Sequence, residues 1–178
     1  METVSGQAES ESGGVMSIFR IFIIGTLLML TSIPLLSCSD KRPSALGLAD
    51  SKLHPCPSSP NCFSSDDQDN DHKIAPFELV KPANEVWPVV REIVLALPRT
   101  RIVAETGNYL HAECRSFLFG FVDDLELYLR PEDGIIAVRS AARSGYSDFG
   151  VNRRRIESLR TSLINRGLIL DSCKISAG

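Results

Sequence analysis

The spacing of apolar residues changes several times along the chain and divides it into regions. A mainly apolar run, interrupted by Thr31, Ser32 and Pro34, fills residues 21–36. Apolar residues then recur at helical spacing over 86–97 and again over 150–165, which predicts two helices. Between these helices the spacing becomes two, as in a half-buried strand. This alternation predicts four strands, over 101–105, 109–116, 122–130 and 135–141.

The ends of both predicted helices carry residues that favour starting or stopping a helix. Asn84 is the predicted N-cap of the first helix, and Pro98 ends it. Asp148 is predicted to cap the second helix, and Gly167 to close it. The element order α-β-β-β-β-α predicts an α+β fold, a two-layer sandwich of a four-stranded antiparallel meander with flanking helices.

The apolar run near the N-terminus resembles a bacterial lipoprotein signal peptide. Arg20 precedes the run, and Leu35-Leu36-Ser37-Cys38 ends it. In such signals the chain is cut before the cysteine and the thiol is acylated, for example with palmitate. An uncleaved transmembrane anchor is the alternative, but sixteen residues reach only about 24 Å of the roughly 30 Å needed. Cys38 is therefore the predicted lipidation site.

The residues before this run are unusual for a signal peptide because they are polar and include three glutamates. Translation starting at Met16 instead of Met1 would remove them, and the sequence leaves both starts open. Cleavage before Cys38 removes Arg20 and these glutamates, so the net charge changes from −3 to −1. A near-neutral chain gives no electrostatic reason to expect nucleic-acid binding.

These signals predict an organisation with one folded domain behind a membrane anchor. The mature protein is expected outside the cytoplasm, in the bacterial cell envelope, with the membrane as a partner through Cys38. The predicted regions are a leader and signal peptide (1–37), a lipidated tether (38–55), a Cys/Pro/Ser-rich and acidic loop (56–73), the α+β domain (74–170) and a tail (171–178).

Two cysteines enclose five residues in a segment rich in proline and serine. In an exported protein this spacing favours a local disulfide between Cys56 and Cys62, while free thiols and a metal site stay open as alternatives. The acidic run that follows has calcium-loop spacing counted from Asp67, but His72 occupies the position that needs glycine. We expect a solvated acidic loop and neither a metal nor another cofactor.

Charged residues concentrate in the last strand and the start of the last helix. Residues 139–160 contain six arginines but only two acids, and arginine binds phosphates and carboxylates through paired N–H donors. The predicted anion site, for a small anionic ligand or a phospholipid headgroup, comprises Arg139, Arg143, Tyr146, Ser147, Asn152 and Arg153. The alternative is an internal charge network in which Asp123, Asp124 and Asp148 pair with Arg115, Arg139 and Arg143.

Several motifs together resemble one protein family. They are Cys-x5-Cys-Phe-Ser-Ser, His-x-Ile-x-Pro, Arg-Ser-x5-Val-Asp-Asp and Arg-Ser-x2-Arg-x-Gly-Tyr-x-Asp-x-Gly-x-Asn-Arg-x-Arg. In this combination, spread over about 56–167, the chain is similar to domain-of-unknown-function family 1499. The resemblance implies an occurrence in bacteria and in organisms with chloroplasts, and it implies no established activity.

Three functions from different classes follow. The favoured hypothesis is a non-enzymatic anion-binding or envelope accessory domain. A hydrolase using His111 with Asp123 or Asp124 is the second, although neighbouring strand residues point to opposite faces and no nucleophile motif is present. A purely structural interaction module is the third. Cys114 alternates onto the apolar face and is expected to be an inert core thiol.

Overall fold

The structure is a computed structural model that describes residues 43, 45–117 and 120–171. The predicted leader, the start at Met16 and the lipidation of Cys38 lie outside the described residues. In chain order the elements are β1 (Leu48–Ala49), β2 (Lys52–Leu53), β3 (Cys62–Ser64), β4 (Phe77–Glu78), α1 (Ala83–Ala96), β5 (Thr100–Thr106), β6 (Tyr109–Arg115), β7 (Val122–Arg130), β8 (Ile135–Ala142) and α2 (Val151–Asn165).

One antiparallel sheet of six strands is the centre of the fold. Its order is β3-β8-β7-β6-β5, and β4 also pairs with β8. The predicted α+β class is therefore confirmed, but the prediction of four strands is corrected to six. Cys62–Ser64 and Phe77–Glu78 were missed because strands of three and two residues are too short to show a clear alternation.

The first helix begins two residues earlier than predicted. Pro82, with extended backbone angles, is the N-cap, and no side chain accepts a hydrogen bond there. Asn84 therefore lies inside the first turn, and its predicted role as N-cap is wrong. The fixed φ of proline supplies the starting geometry instead. Val86, Val90 and Val94 face the core, and the helix ends before Leu97, whose backbone is extended.

The second helix follows a left-handed residue and is held by an upstream carboxylate. Gly150, with φ of 77°, precedes Val151. The Asp148 side chain accepts hydrogen bonds from the backbone N–H of Gly150 and of Asn152. It thus occupies donors that the helix N-terminus would otherwise leave unsatisfied. Ile156, Leu159 and Leu163 face the core.

The two faces of the sheet have opposite chemistry. Leu110, Leu127 and Val138 lie opposite one another on β6, β7 and β8, and all three belong to the core that includes the buried side chains of both helices. The neighbouring row on the other face is His111, Glu126 and Arg139. Burial of the apolar row against the helices stabilises the fold. The charged row faces away from the helices, so a different part of the chain must shield it from water.

That part of the chain is a strap made of residues 45–57, most of which were predicted to be tether. The hairpin of β1 and β2 lies in the strap, and the Gly47 N–H donates to Glu126 Oε1 over 2.7 Å. Leu53 is buried, and its N–H donates to Asp66. The sequence showed no periodicity there because the strap buries one large apolar side chain in a polar segment. Residues 40–178 form one compact unit that contains all the described core, so we expect this fragment to fold without residues 1–39.

The acidic loop is predicted to be solvated, but two of its aspartates bind other parts of the folded domain. Asp66 binds Arg130 over 2.6 Å. Asp67 is buried and accepts the N–H groups of Cys56 and Asp69. Burial acts to raise the pKa of Asp67, but these backbone hydrogen bonds outweigh it and hold the pKa below its ordinary value. The two acids therefore fasten the strap to the sheet.

The predicted disulfide is confirmed, because Cys56 and Cys62 are bonded. The bond links the strap to β3 at the sheet edge. We expect its removal in a Cys56→Ser, Cys62→Ser variant to lower the free energy of unfolding by about 2 kcal/mol, the entropy of closing a seven-residue loop. Urea unfolding of the two proteins measures this difference. Cys114, free and buried, is left unchanged, and an unaltered urea midpoint would contradict the expectation.

Candidate functional site

Six ionisable side chains line the sheet face beneath the strap. We call them the sheet-face cluster: His111, Glu113, Asp124, Glu126, Arg139 and Arg143. Strand register brings them together, since Glu113 lies opposite Asp124 and His111 lies opposite Glu126. Buried charges are costly unless they are paired and hydrogen-bonded, so their partners decide what the cluster can do.

Arg143 joins two carboxylates in this cluster. Its Nη2 lies 2.6 Å from Glu113 Oε1 and 2.7 Å from Asp124 Oδ1, and its Nε donates to Asp124 Oδ2 over 2.9 Å. His111 Nε2 lies 2.7 Å from Asp124 Oδ1. The Arg143, Glu113 and Asp124 side chains are each only 3–4% exposed. Arg143 therefore acts as an internal counter-ion whose removal would strand two buried acids.

The pKa values of these groups follow from burial and pairing. Burial acts to raise the pKa of Asp124, but hydrogen bonds from His111 and Arg143 outweigh it and lower the pKa. Burial also acts to raise the pKa of Glu113, but hydrogen bonds from Arg143 and Arg101 outweigh it, so the pKa of Glu113 is lowered as well. The hydrogen bond to Asp124 is the main reason why the pKa of Arg143 is raised. All three groups are held in their charged forms.

Arg139 and Glu126 form a second pair beside a cavity. Arg139 Nη1 lies 2.9 Å from Glu126 Oε2, and Glu126 Oε1 accepts the Tyr109 hydroxyl over 2.7 Å. Burial, followed by the nearby Glu126 charge, raises the pKa of Tyr109, which keeps that hydroxyl protonated. Arg139 Nε is buried without a hydrogen-bond partner among the described residues. The cavity, of about 390 Å³, is lined by Arg139, Arg143, Asp124 and the strap.

Every acid of the sheet-face cluster is paired with an arginine, one of which, Arg101, lies outside the cluster. Glu113 binds Arg101 as well as Arg143, so three acids (Glu113, Asp124, Glu126) face three arginines (Arg101, Arg139, Arg143). Arg139 and Arg143 are thus committed to internal pairs. Anion binding by these two arginines would require breaking buried ion pairs.

The other four residues of the predicted anion site lie elsewhere. Asn152 is fully buried between Ser140 and Asn61. The Arg153 guanidinium stacks on the Phe63 ring at 4.5 Å, and Tyr146 and Ser147 are exposed in the loop before α2. The six residues therefore do not share one site. Sequence order places them close together, but alternation along β8 and rotation around α2 send them to different faces.

Of the predicted network, Asp124 pairs with Arg143 as expected, while Asp123, Asp148 and Arg115 have other partners. Asp123 binds Arg155 over 2.7 Å on the helix side of the sheet, and burial outweighs this pairing and raises the pKa of Asp123. Arg115 lies 3.8 Å from Glu113, and Asp148 serves the helix N-terminus. Sequence reasoning missed Glu113, Glu126 and Arg155, although polar residues alternating with apolar ones on a strand were a signal for the two glutamates.

The hydrolase hypothesis named His111 with Asp123 or Asp124. The structure brings His111 and Asp124 together, while Asp123 lies on the opposite face with Arg155. Both members of the pair are about 3% exposed. Among the described residues, no serine, threonine or cysteine hydrogen-bonds His111. Cys114 accepts a hydrogen bond from the Thr100 hydroxyl at 3.4 Å, and burial raises the pKa of its thiol, which disfavours the reactive thiolate.

A second cavity lies where the β5–β6 edge meets the start of α2. We call it the arginine cleft; its volume is about 420 Å³. Its charged lining residues are Arg99, Arg115, Arg154, Arg155 and Asp123. The formal charge of this lining is therefore +3. Arg154 and Arg155 belong to the arginine-rich stretch seen in the sequence, but neither they nor Arg99 were assigned to a site, because the lining comes from four separate parts of the chain.

Hydrogen bonds to uncharged groups hold two of the cleft arginines in place. Arg99 Nε donates to the backbone carbonyl of Arg115 over 3.1 Å, and its guanidinium lies 5.3 Å from the centre of the Phe117 ring. Arg154 Nη1 donates to the carbonyl of Phe149 over 2.8 Å. A carbonyl orients a guanidinium but does not cancel its charge. The cleft therefore retains positive charge that the sheet-face cluster lacks.

Comparison with known proteins places the chain in a family without adding a function. Neither a curated protein nor a solved structure matches the chain. Within the described residues, no helix is both long and apolar enough to cross a membrane. The family model described as "Protein of unknown function (DUF1499)" matches residues 52–163, which include both clusters of charge. The chain therefore belongs to the DUF1499 family.

Proposed function

We propose that this protein is a non-enzymatic accessory domain of the bacterial cell envelope that binds a small anion in the arginine cleft. The main support for this proposal is the charge of the cleft, whose lining contains four arginines and one aspartate. Arginine recognises phosphate and carboxylate through paired N–H donors. A phosphate or carboxylate group is the shared chemistry, and a free metabolite or a phospholipid headgroup can supply it.

The location is supported by the sequence and by the disulfide. The run that ends at Cys38 resembles a lipoprotein signal, so the proposed anchor is an acyl chain on that cysteine. The disulfide between Cys56 and Cys62 suits an oxidising compartment outside the cytoplasm. The membrane is thus a proposed partner through the lipid, and the cleft is proposed to face the extracytoplasmic side.

Thermal unfolding in phosphate tests the cleft. The fragment 40–178 is heated in sodium phosphate and in sodium chloride of equal ionic strength, and phosphate is expected to raise Tm further because it binds only the folded cleft. In an Arg99→Asn, Arg154→Gln variant we expect phosphate binding to weaken at least tenfold, since a hydrogen bond to a charged group contributes about 1.5–3 kcal/mol. Asparagine suits position 99, where φ is 52°.

A matched control separates the cleft from general charge. Arg166→Gln removes an exposed positive charge at the other end of α2, and this variant should keep the phosphate-dependent rise in Tm. The proposal fails if phosphate and chloride give the same Tm. It also fails if the control loses as much of the rise as the cleft variant does.

A further inference from the structure

Large aromatic side chains are exposed at one end of the sheet. Phe117 is 82% exposed, Tyr146 76% and Phe149 88%, and Phe121 is exposed as well. We call these four residues the aromatic rim. Phe117 and Phe121 come from the β6–β7 connection, and Tyr146 and Phe149 from the β8–α2 connection. Isolated exposed apolar residues are ordinary, but a group at one end of a fold marks an interaction site.

Strand pairing places both connections at the same end. Asp123, at the start of β7, lies opposite Ala142 at the end of β8, and the Arg143 N–H donates to the Val122 carbonyl. The turn before β5 is at this end too, because the Arg115 N–H donates to the Arg99 carbonyl. Three connections therefore converge on the aromatic rim.

The backbone at Phe149 is held in a conformation that its side chain disfavours. Its φ is 53°, in the left-handed region, which glycine and asparagine adopt far more readily than a large side chain does. An exposed ring does not offset that cost through burial in the fold. Strain of this kind accumulates at binding sites, so the ring is expected to be buried against something outside the domain.

Two arginines lie beside the rim. Arg99 stacks on Phe117, and Arg154 holds the Phe149 carbonyl. The arginine cleft, with its formal charge of +3, opens between them. Aromatic rings beside basic side chains suit the interface of a membrane with anionic lipids, where rings enter the headgroup boundary and cations meet the phosphates.

The start of the described domain lies at the same end. Pro43 and Arg143 line one cavity, and Arg143 directly follows the end of β8. Cys38 precedes Pro43 by five residues, which reach at most about 18 Å when fully extended. A lipid on Cys38 would therefore hold the membrane near the aromatic rim. Only this orientation rests on the proposed anchoring, since the rim and its charge do not depend on it.

We infer that the aromatic rim is a docking surface for an anionic lipid bilayer, with the rings inserted at the interface and the arginine cleft over the lipid phosphates. The occupant is the lipid surface itself, not a protein. Docking would supply a second attachment besides a single acyl chain, which by itself gives only reversible binding. The same contact would bring phosphate headgroups to the cleft.

Vesicle flotation of the fragment 40–178, which lacks Cys38, tests the rim without the anchor. We expect the fragment to float with vesicles of equal parts phosphatidylglycerol and phosphatidylcholine, and to bind pure phosphatidylcholine more weakly. A Tyr146→Ser, Phe149→Asn variant should bind at least tenfold more weakly, since burying one phenylalanine ring accounts for about that factor. Asparagine tolerates the left-handed backbone at 149, so the fold is retained.

A variant at the other end of the sheet is the control. Val80 is exposed next to β4, which pairs with the opposite end of β8. Val80→Ser should float like the parent fragment. Equal flotation of the rim variant and the parent, or no flotation with the anionic vesicles, would overturn the inference. The rim variant keeps the cleft arginines, so it should retain the phosphate-dependent rise in Tm, and the two proposals can fail separately.

The full chain supplies a second measurement. Phe149→Trp is placed in vesicles that contain brominated phospholipid, which quenches indole fluorescence at the interface. We expect stronger quenching than in Val80→Trp, with the unsubstituted chain and its Trp87 as the baseline. Equal quenching at positions 80 and 149 would contradict docking through the rim.

Discussion

Arg143→Met is expected to lower the free energy of unfolding by about 3–5 kcal/mol, the cost of leaving buried acids without their counter-ion. Arg143 lies between Glu113 and Asp124, and all three side chains are almost fully buried. A small domain has only about 5–15 kcal/mol of total stability. The variant is therefore expected to unfold at a much lower urea concentration than the unsubstituted protein.

Arg153→Met provides the matched comparison. Arg153 is exposed and stacks on Phe63, so its loss should cost no more than about 1 kcal/mol. Adding Glu113→Gln and Asp124→Asn to Arg143→Met should recover part of the lost stability, because neutral amides need no counter-ion. A change below about 1 kcal/mol in Arg143→Met would show that Arg143 is not a structural counter-ion.

Acid is expected to unfold the protein in large part through the same pair of carboxylates, with a further contribution from Asp67, whose pKa is also lowered. The pKa values of Asp124 and Glu113 lie below their ordinary values of 3.8 and 4.5. In this pH range the unfolded chain binds more protons than the folded one, so stability falls as pH falls. The contribution is complete above about pH 4.5 and is lost as the pH passes through the lowered values. Asp123 opposes this loss because its pKa is raised.

Urea midpoints measured from pH 7 down to pH 3 give the size of this effect. In a Glu113→Gln, Asp124→Asn variant the midpoint should be lower throughout and should change less with pH, since neither amide titrates. The parent's loss should persist in 1 M salt, because buried pairs are screened much less than surface charges. A pH dependence that is equally steep in the variant would assign acid unfolding to other groups.

The strands that run through the sheet could be predicted from the chain, but the edge elements could not. Leu125, Leu127 and Leu129 alternate with polar residues over all of β7, and the predicted and observed bounds of this strand agree. In contrast, β3 and β4 form only because β8 is already present to pair with them. A strand of two or three residues is too short to show a periodic pattern from which its pairing with β8 could be predicted.

The charged residues show a similar division. Adjacent arginines at 153, 154 and 155 look equivalent in the sequence, but successive residues on a helix differ in direction by about 100°. One stacks on Phe63, one holds the Phe149 carbonyl, and one binds Asp123. Glu113 and Glu126 alternate like solvent-facing residues, but both are buried, Glu126 beneath the strap and Glu113 beside Arg101 and Arg143. The choice of partner therefore depends on tertiary packing.

The strap also determines how the domain would respond to a pull on its N-terminus. Tension would first reach the hydrogen bonds from Gly47 to Glu126 and from Leu53 to Asp66, and the short hairpin would detach one bond at a time. Detachment would stop at Cys56, because the disulfide transfers the load to β3 within the sheet. The strap would then extend under tension while the apolar core stays folded, and its detachment would expose the charged sheet face.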